Sequence, residues 1–265
     1  MTFSSDNVYK GKYKYKYVPY GKGAIAILQD ATMKFTEPKE FNDPFDCLPS
    51  YTHSLNNPFT KKFPGAYKEL SKKLKLSPAQ RLQQRGKYEA ILKREVDNGF
   101  WQQENQKNIG ICSMSTKPCN LLMWSHYAKN HTGVVFEFKN ETPKADILHR
   151  QYLFSFEVIY KKEKPIIDIA DANPTHDLLI KAIDWEYESE VRCLAIEDGE
   201  GIHSYKRELL SSVILGARMS IQDETSIRDI VNDVNKKFSL SIKVYKAQIS
   251  QSEFKIIIPD HPEHH

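Results

Sequence analysis

No stretch of this 265-residue chain approaches the roughly 20 consecutive apolar residues that a membrane-spanning helix needs. A membrane is therefore not an expected partner. The opening run MTFSSDNVYKGKYKYKYV holds no apolar h-region and does not read as a secretory signal. Cysteine is scarce, and Cys47, Cys112, Cys119 and Cys193 form no C-x-x-C pair. Scattered cysteines in a chain of this length read as reduced, mostly buried thiols, so a cytoplasmic location is expected. G-x-G-x-x-G, G-x-x-x-x-G-K-[ST], H-E-x-x-H and G-x-S-x-G are all missing, which excludes a standard phosphate loop, a zincin helix and a nucleophile elbow. His126 and His131 would face different sides of a helix, so no zinc site is readable and no metal is expected.

What is present suits one globular domain. Hydrophobic residues make up 40% and charged residues 27% of the chain, close to ordinary globular usage. With 14 tyrosines and 13 phenylalanines, aromatic packing should carry much of the core. The net charge of +4 permits an anionic partner without demanding one. Near the N-terminus Lys10, Lys12, Lys14, Lys16 and Lys22 interleave with Tyr9, Tyr13, Tyr15, Tyr17 and Tyr20. That mixture suits a nucleic-acid strand. It equally suits an alternating strand with tyrosines on one face and solvated lysines on the other.

The pattern along the chain predicts a single α+β domain over residues 1–265, with mixed, mostly antiparallel sheets. Strands are expected at Tyr13–Val18, Met33–Thr36, Ile109–Ser115, Gly133–Phe138, Tyr152–Tyr160 and Val191–Ile196, then at Val213–Leu215, Ile242–Ile249 and Phe254–Ile258. Short helices are expected at Ala24–Asp30, Leu121–Asn130 and from Asn173-Pro174 through Ile183, with an amphipathic helix over Asp223–Phe238. A section rich in Lys, Glu, Gln and Leu at about 65–106 reads as a helical insertion. Within it, Ser77-Pro78-Ala79-Gln80 is a capping box.

Three segments could carry chemistry. In Trp185-Glu186-Tyr187-Glu188-Ser189-Glu190-Val191-Arg192, an extended chain would point Glu188, Glu190 and Arg192 to one face. Both faces are apolar further on, as in a central strand. Close carboxylates push their pKa values apart, which acid/base work requires; a structural Glu190–Arg192 ion pair explains the same pattern. Phe41-Asn42-Asp43-Pro44-Phe45-Asp46 would anchor a turn by its aromatics and point Asn42, Asp43 and Asp46 outward, toward ligand hydroxyls or a cation. An ordinary Asx-turn is the plain alternative. In Met123-Trp124-Ser125-His126-Tyr127-Ala128, Trp124 and Ala128 share a helix face, leaving His126 near Tyr127 with room to contact a ligand; a satisfied core histidine is the plain alternative. Met123 and Trp124 are most simply core. Ser113-Met114-Ser115 puts two hydroxyls on one face of a strand.

Taken in order, the basic-aromatic first strand, FNDPFD, GICSMS, LLMWSHYA, HTGVVFEF and WEYESEVR resemble a bacterial family known only as a domain of unknown function. The same succession is similar, more distantly, to the ADP-ribosyltransferase fold. There a basic or histidine residue on the first strand binds NAD, a Ser-x-Ser segment shapes the nicotinamide pocket, and a glutamate, often in Glu-x-Glu, steadies an oxocarbenium-like transition state. Glu188-Ser189-Glu190 matches Glu-x-Glu and Ser113-Met114-Ser115 is similar to Ser-x-Ser. Lys14 or Lys16 stands where the first-strand arginine or histidine usually is.

The resemblance implies an NAD-consuming ADP-ribosyltransferase or NAD glycohydrolase, in the role of a toxin or phage-defence effector. Glu190 would stabilise the developing charge and Glu188 would position or deprotonate the acceptor, a protein, a nucleic acid or water. Tyr127 or Tyr15 would stack on the nicotinamide, and Asn42 with Asp43 would hold ribose hydroxyls. His126, Asp46, Trp124 and Arg192 complete the candidate set. Two other readings stand beside this one. In a Mg²⁺-dependent nuclease or phosphoesterase, Asp43, Asp46, Glu188 and Glu190 would supply oxygen ligands. In a non-enzymatic nucleotide- or protein-binding module, the acidic strand would be structural.

Overall fold

The computed structural model describes residues 7–52, 72, 75–99, 106–141, 150–168, 172–196 and 198–264. In chain order its elements begin with strand β1 (Tyr13–Val18), helix α1 (Lys22–Gln29), β2 (Thr32–Phe35), β3 (Ser50–Thr52) and α2 (Pro78–Asp97). Next come β4 (Gly110–Ser115), α3 (Leu121–His126), β5 (Val134–Lys139), β6 (Ser155–Glu157), β7 (Ile159–Lys161) and β8 (Ile166–Asp168). Then follow α4 (Pro174–Asp177), β9 (Ile180–Ala182), β10 (Glu190–Ala195), β11 (Gly201–Ser204) and β12 (Leu210–Leu215). The last are α5 (Ile221–Phe238), β13 (Lys243–Lys246), β14 (Gln248–Ile249) and β15 (Ile256–Ile257). The architecture is mixed α and β with a mostly antiparallel main sheet. Among the described residues no helix is long and apolar enough to cross a membrane.

The chain packs as two compact units. The larger takes in Ser4–Glu40, Asn108–Val158 and Asp184–His265, and the smaller chiefly Phe41–Lys107 and Ile159–Ile183. The larger unit is built on a seven-stranded sheet in the order β13-β12-β5-β1-β4-β10-β6. Every neighbouring pair in it is antiparallel except β12 with β13. One face carries Cys112, Met114, Val134, Phe136, Phe138, Val191, Cys193, Val213 and Leu215, which pack with Ile27 and Leu28 of α1 and with Ile227, Val231 and Val234 of α5. The other face carries Tyr15, Tyr17, Val135 and Ile214, packed with Met123, Trp124 and Ala128 and with Ile256 and Ile258. On β10, Val191, Cys193 and Ala195 belong to the first of these layers, and every residue of the strand is buried.

Helix α5 shows how the sequence sets these layers. Ser220 accepts a hydrogen bond from the Asp223 amide, Asp223 and Glu224 occupy the first turn, and Lys236 and Lys237 the last. Cap and charges therefore agree with the helix dipole. The helix ends where Ser239 turns left-handed (φ 55°), and Asn235 bonds both backbone groups of Ile242, at 2.9 and 3.0 Å.

In the smaller unit β3 pairs with β8 and β7 with β9, both parallel. Helix α2 starts at the expected capping box, with the Ser77 amide donating to Gln80 Oε1 at 2.8 Å. Much of the remaining 65–106 stretch lies outside the described residues.

Three local expectations give way. The helix expected from Asn173 through Ile183 is one turn, α4, after which Ile180–Ala182 pairs with Ile159–Lys161 as β9. Leu178, Leu179 and Ile180 are all buried, and a short apolar run fits a strand as well as a helix. The strand expected over Tyr152–Tyr160 is broken by a 3-10 turn at Arg150–Tyr152 and by Leu153 at φ 51°. Helix α3 stops at His126 rather than Asn130, because Lys129, Asn130 and His131 all take positive φ.

The lysines of β1 are also not simply solvated. Lys14 is fully buried and donates to Asn140 Oδ1 and Ser155 Oγ, each at 3.0 Å, and to the Leu153 carbonyl. Burial holds its ammonium pKa below the ordinary 10.5. Between the two pKa values the unfolded chain binds the extra proton, so stability rises with pH across that window. The wild type should therefore gain stability relative to Lys14→Met as the pH is raised toward about 10. Urea unfolding at successive pH values checks this, and a pH-independent difference would show that burial does not lower the pKa of Lys14.

Candidate functional site

Strand β10 begins one residue after a sharp reversal. Ile183–Glu188 forms a 3-10 helix, closed by the Ser189 amide on the Glu186 carbonyl at 3.0 Å. Ser189 then takes φ 45°, a left-handed conformation that non-glycine residues rarely adopt. Polar contacts from neighbouring elements hold this turn. Ser115 Oγ donates to the Glu188 carbonyl at 2.7 Å, the Thr116 amide donates to the Ser189 carbonyl at 2.9 Å, and Asn120 Nδ2 donates to the Tyr187 carbonyl. Asn120 also caps α3, accepting from the Leu122 and Met123 amides. One asparagine therefore sets both the helix start and the glutamate turn.

The consequence for Glu188 corrects the sequence expectation. It does not share a strand face with Glu190, because it ends the 3-10 helix. It is nevertheless buried, and its Oε1 accepts from the Tyr127 hydroxyl at 2.5 Å. His126 is exposed, with Nδ1 3.2 Å from the Tyr187 hydroxyl. The structure thus gathers Glu188, Tyr127, His126 and Tyr187 where the 3-10 helix before β10 meets the C-terminal end of α3.

Glu190 and Arg192 do share a face. The guanidinium Nε lies 2.9 Å from Glu190 Oε1 and its NH2 nitrogen 3.1 Å from Oε2, with side-chain exposures of 0% for Arg192 and 3% for Glu190. Glu190 stands opposite Ser115, Ser115 opposite Tyr15, Tyr15 opposite Glu137, and Glu137 opposite Ser212. Arg192 stands opposite Ser113. Alternation along a strand therefore places Glu190, Arg192, Ser113, Ser115, Tyr15 and Glu137 on one face of the sheet. Lys14 and Lys16 project from the other, Lys16 reaching the Ser113 carbonyl at 2.8 Å.

Several candidates have settled packing roles. Trp124 is fully buried, donates Nε1–H to the Pro118 carbonyl at 2.8 Å, and meets Tyr17 edge-on with centroids 5.4 Å apart. Tyr15 is buried and its hydroxyl engages His264 Nε2 at 2.7 Å. Burial first, then the charge of Glu137, raises its pKa well above the usual tyrosine value.

FNDPFD belongs to the smaller unit and its geometry is the reverse of the one expected. Phe45 is 67% exposed, while Asp43 and Asp46 are buried; only Asn42 points out. Asp43 Oδ1 accepts from the Phe45 amide at 2.9 Å, an Asx-turn. Its Oδ2 has no hydrogen-bond partner among the described residues. Asp46 Oδ2 lies 3.4 Å from Lys181 Nζ, with both side chains buried. Sequence reading missed Lys181, since nothing in a lysine between apolar neighbours announces a buried partner. It also missed Glu137, although one acid inside the apolar run Val134–Phe138 was a usable signal.

Residues 123–193 match the model of the family described as Protein of unknown function (DUF2971). The match supports membership of a domain-of-unknown-function family. It contains both MWSHYA and WEYESEVR, whereas β1 and FNDPFD fall outside it. No curated protein and no solved structure matches the chain.

A buried guanidinium bonded to a buried carboxylate gives a sharp energetic expectation. Removing one partner of a buried pair typically costs about 3–5 kcal/mol, because the other charge stays buried. Arg192→Met should cost that much in denaturant unfolding, and adding Glu190→Met should restore much of it. A small loss in the single variant would mean that water reaches the pair.

Proposed function

We propose that the chain is an NAD-consuming enzyme, an ADP-ribosyltransferase or NAD glycohydrolase, with Glu190 as its central catalytic group. The observation that carries this reading is the strand order. The glutamate strand β10 neighbours the Ser-x-Ser strand β4, which neighbours the first strand β1, with Ser115 opposite both Glu190 and Tyr15. The three segments on which the resemblance to the ADP-ribosyltransferase fold rests are therefore neighbours in one sheet.

In this reading the bond between the nicotinamide nitrogen and the ribose anomeric carbon breaks, and its electron pair leaves with nicotinamide. The Glu190 carboxylate, fixed by the two bonds from Arg192, faces the positive charge that develops on the ribose. Removing one such preorganised group typically costs about 3–4 kcal/mol of barrier. Glu188, aligned by Tyr127, takes the proton from the oxygen of water or another acceptor as that oxygen bonds to the anomeric carbon. The buried Lys14 has no part in this scheme, and neither has Lys16 on the same far face. Tyr127 is a better candidate than Tyr15 to meet the nicotinamide, because Tyr15 is enclosed and bonded to His264. A toxin or phage-defence effector is the setting that fits such an activity.

One observation favours a second reading. The Glu190–Arg192 pair is almost wholly enclosed, as a purely structural pair in a binding module would be.

The test is nicotinamide release from NAD by the purified protein, with and without cell extract, alongside Glu190→Gln, Glu188→Gln and their melting temperatures. A folded Glu190→Gln variant should lose about 10²–10³-fold in turnover, with Glu188→Gln impaired and close to wild-type stability. Turnover retained in Glu190→Gln overturns the role of Glu190. Absence of release, with no shift of melting temperature by NAD, overturns the NAD reading in favour of the binding module.

A further inference from the structure

Strand β5 contributes Glu137, which is 3% exposed within the run Val134–Phe138. Its carboxylate is held on both sides. Ser212 Oγ donates to Oε1 at 3.2 Å, and His261 Nε2 lies 2.8 Å from Oε2. His261 is itself buried, at 2% exposure. His264 completes the cluster, its ring centroid 4.7 Å from that of His261 and tilted by 31°. One ligand atom each from Glu137, His261 and His264 lies within 4.8 Å of the other two. A tetrahedral zinc ion with bonds of about 2.0–2.1 Å needs its ligands about 3.3 Å apart, so small side-chain rotations would close the set.

We propose that Glu137, His261 and His264 form a binding site for a divalent transition-metal ion, with Zn²⁺ the best-suited member of that class. Two imidazoles and one carboxylate match the preference of borderline ions over Mg²⁺ or Ca²⁺, which favour all-oxygen sites. Three protein ligands leave a fourth position for water or for the Tyr15 hydroxyl, which already lies 2.7 Å from His264 Nε2. Ser212 holds the second carboxylate oxygen, as outer partners do at metal sites.

The metal-free arrangement is self-consistent. The Glu263 amide donates to His261 Nδ1 at 3.1 Å, so the ring proton sits on Nε2 and points at Glu137. Capturing an ion through Nε2 moves that proton to Nδ1 and releases the Glu263 amide to water at an exposed position. The loss is one hydrogen bond against a new coordinate bond. The ion would clamp the C-terminal segment, from Ile258 to His264, onto β1 and β5 at the middle of the sheet. The site is independent of the NAD reading, since its ligands are not among the groups assigned to that reaction.

The experiment strips the full chain with a chelator, then titrates Zn²⁺ while following heat and melting temperature. One ion should bind per chain with a rise in melting temperature. His264→Ala and Glu137→Gln should each weaken binding at least about tenfold, whereas His203→Ala on β11 should not. Co²⁺ in place of Zn²⁺ should give the intense visible absorption of a four-coordinate site, lost in His264→Ala. Should Glu137→Gln fail to fold, the half-buried His264 at the terminal turn decides the question. No stoichiometric binding, or binding unchanged in His264→Ala, overturns the site and assigns any uptake to surface histidines.

Discussion

An arginine with no exposed surface can exist only beside a fixed negative charge, and Arg192 is fully enclosed. Its partner stands two residues earlier on the same strand, so the pair sets the phase of β10. A slip of one residue would turn Glu190 and Arg192 toward the face lined by Phe136, Phe138 and Val213. It would bring Val191 and Cys193 to the polar side. Desolvating two such charges is costly unless geometry and further hydrogen bonds are good, and here both contacts of the guanidinium fork are made. The left-handed turn at Ser189 and the bonds from Ser115, Thr116 and Asn120 follow from this constraint. The chain must enter β10 with Glu190 already aimed along the sheet.

Much of this was readable from residue patterns. The alternation in Tyr13–Val18, the serine-bearing strand, the run Val134–Phe138 and the cap of α5 are local signals, and local physics decides them. The Glu190–Arg192 pair was also legible, because two charges at strand spacing in an apolar run need each other. The structural position of Glu188 was not, because one left-handed residue redirects the chain and a serine gives no warning of it. The same holds for α4 and β9, where a buried Leu-Leu-Ile run fits either element and only pairing with β7 selects the strand.

Burial of polar groups was the least legible property. Lys14 and Lys181 look like surface lysines in the sequence, yet both are enclosed, and each is accommodated by acceptors distant along the chain. Lys14 uses Asn140, Leu153 and Ser155, and Lys181 uses Asp46. FNDPFD shows the same failure from the other side. Its acids look like outward ligands beside anchoring aromatics, but Asp43 folds back on its own turn and Phe45 stands exposed. A short polar side chain can satisfy a neighbouring amide, as Asp43 Oδ1 does with the Phe45 amide.

The face that holds Glu190 has a feature that neither core packing nor strand preference demands. Glu190, Ser115, Tyr15, Glu137 and Ser212 follow one another at one level across five adjacent strands. All five are buried. Buried polar groups are tolerated only when bonded, and each member has its partner: Arg192, the Glu188 carbonyl, His264, His261 and Glu137. Where the neighbouring level reaches β5 and β12 it is apolar, Val135 beside Ile214, so the fold could have continued in that manner. A single ionic pair could be a structural accident of one strand. A polar line across five strands, with carboxylates on β10 and β5 and a separate set of partners for each, is hard to account for by packing alone. It is the reason to look for chemistry on this face before any other.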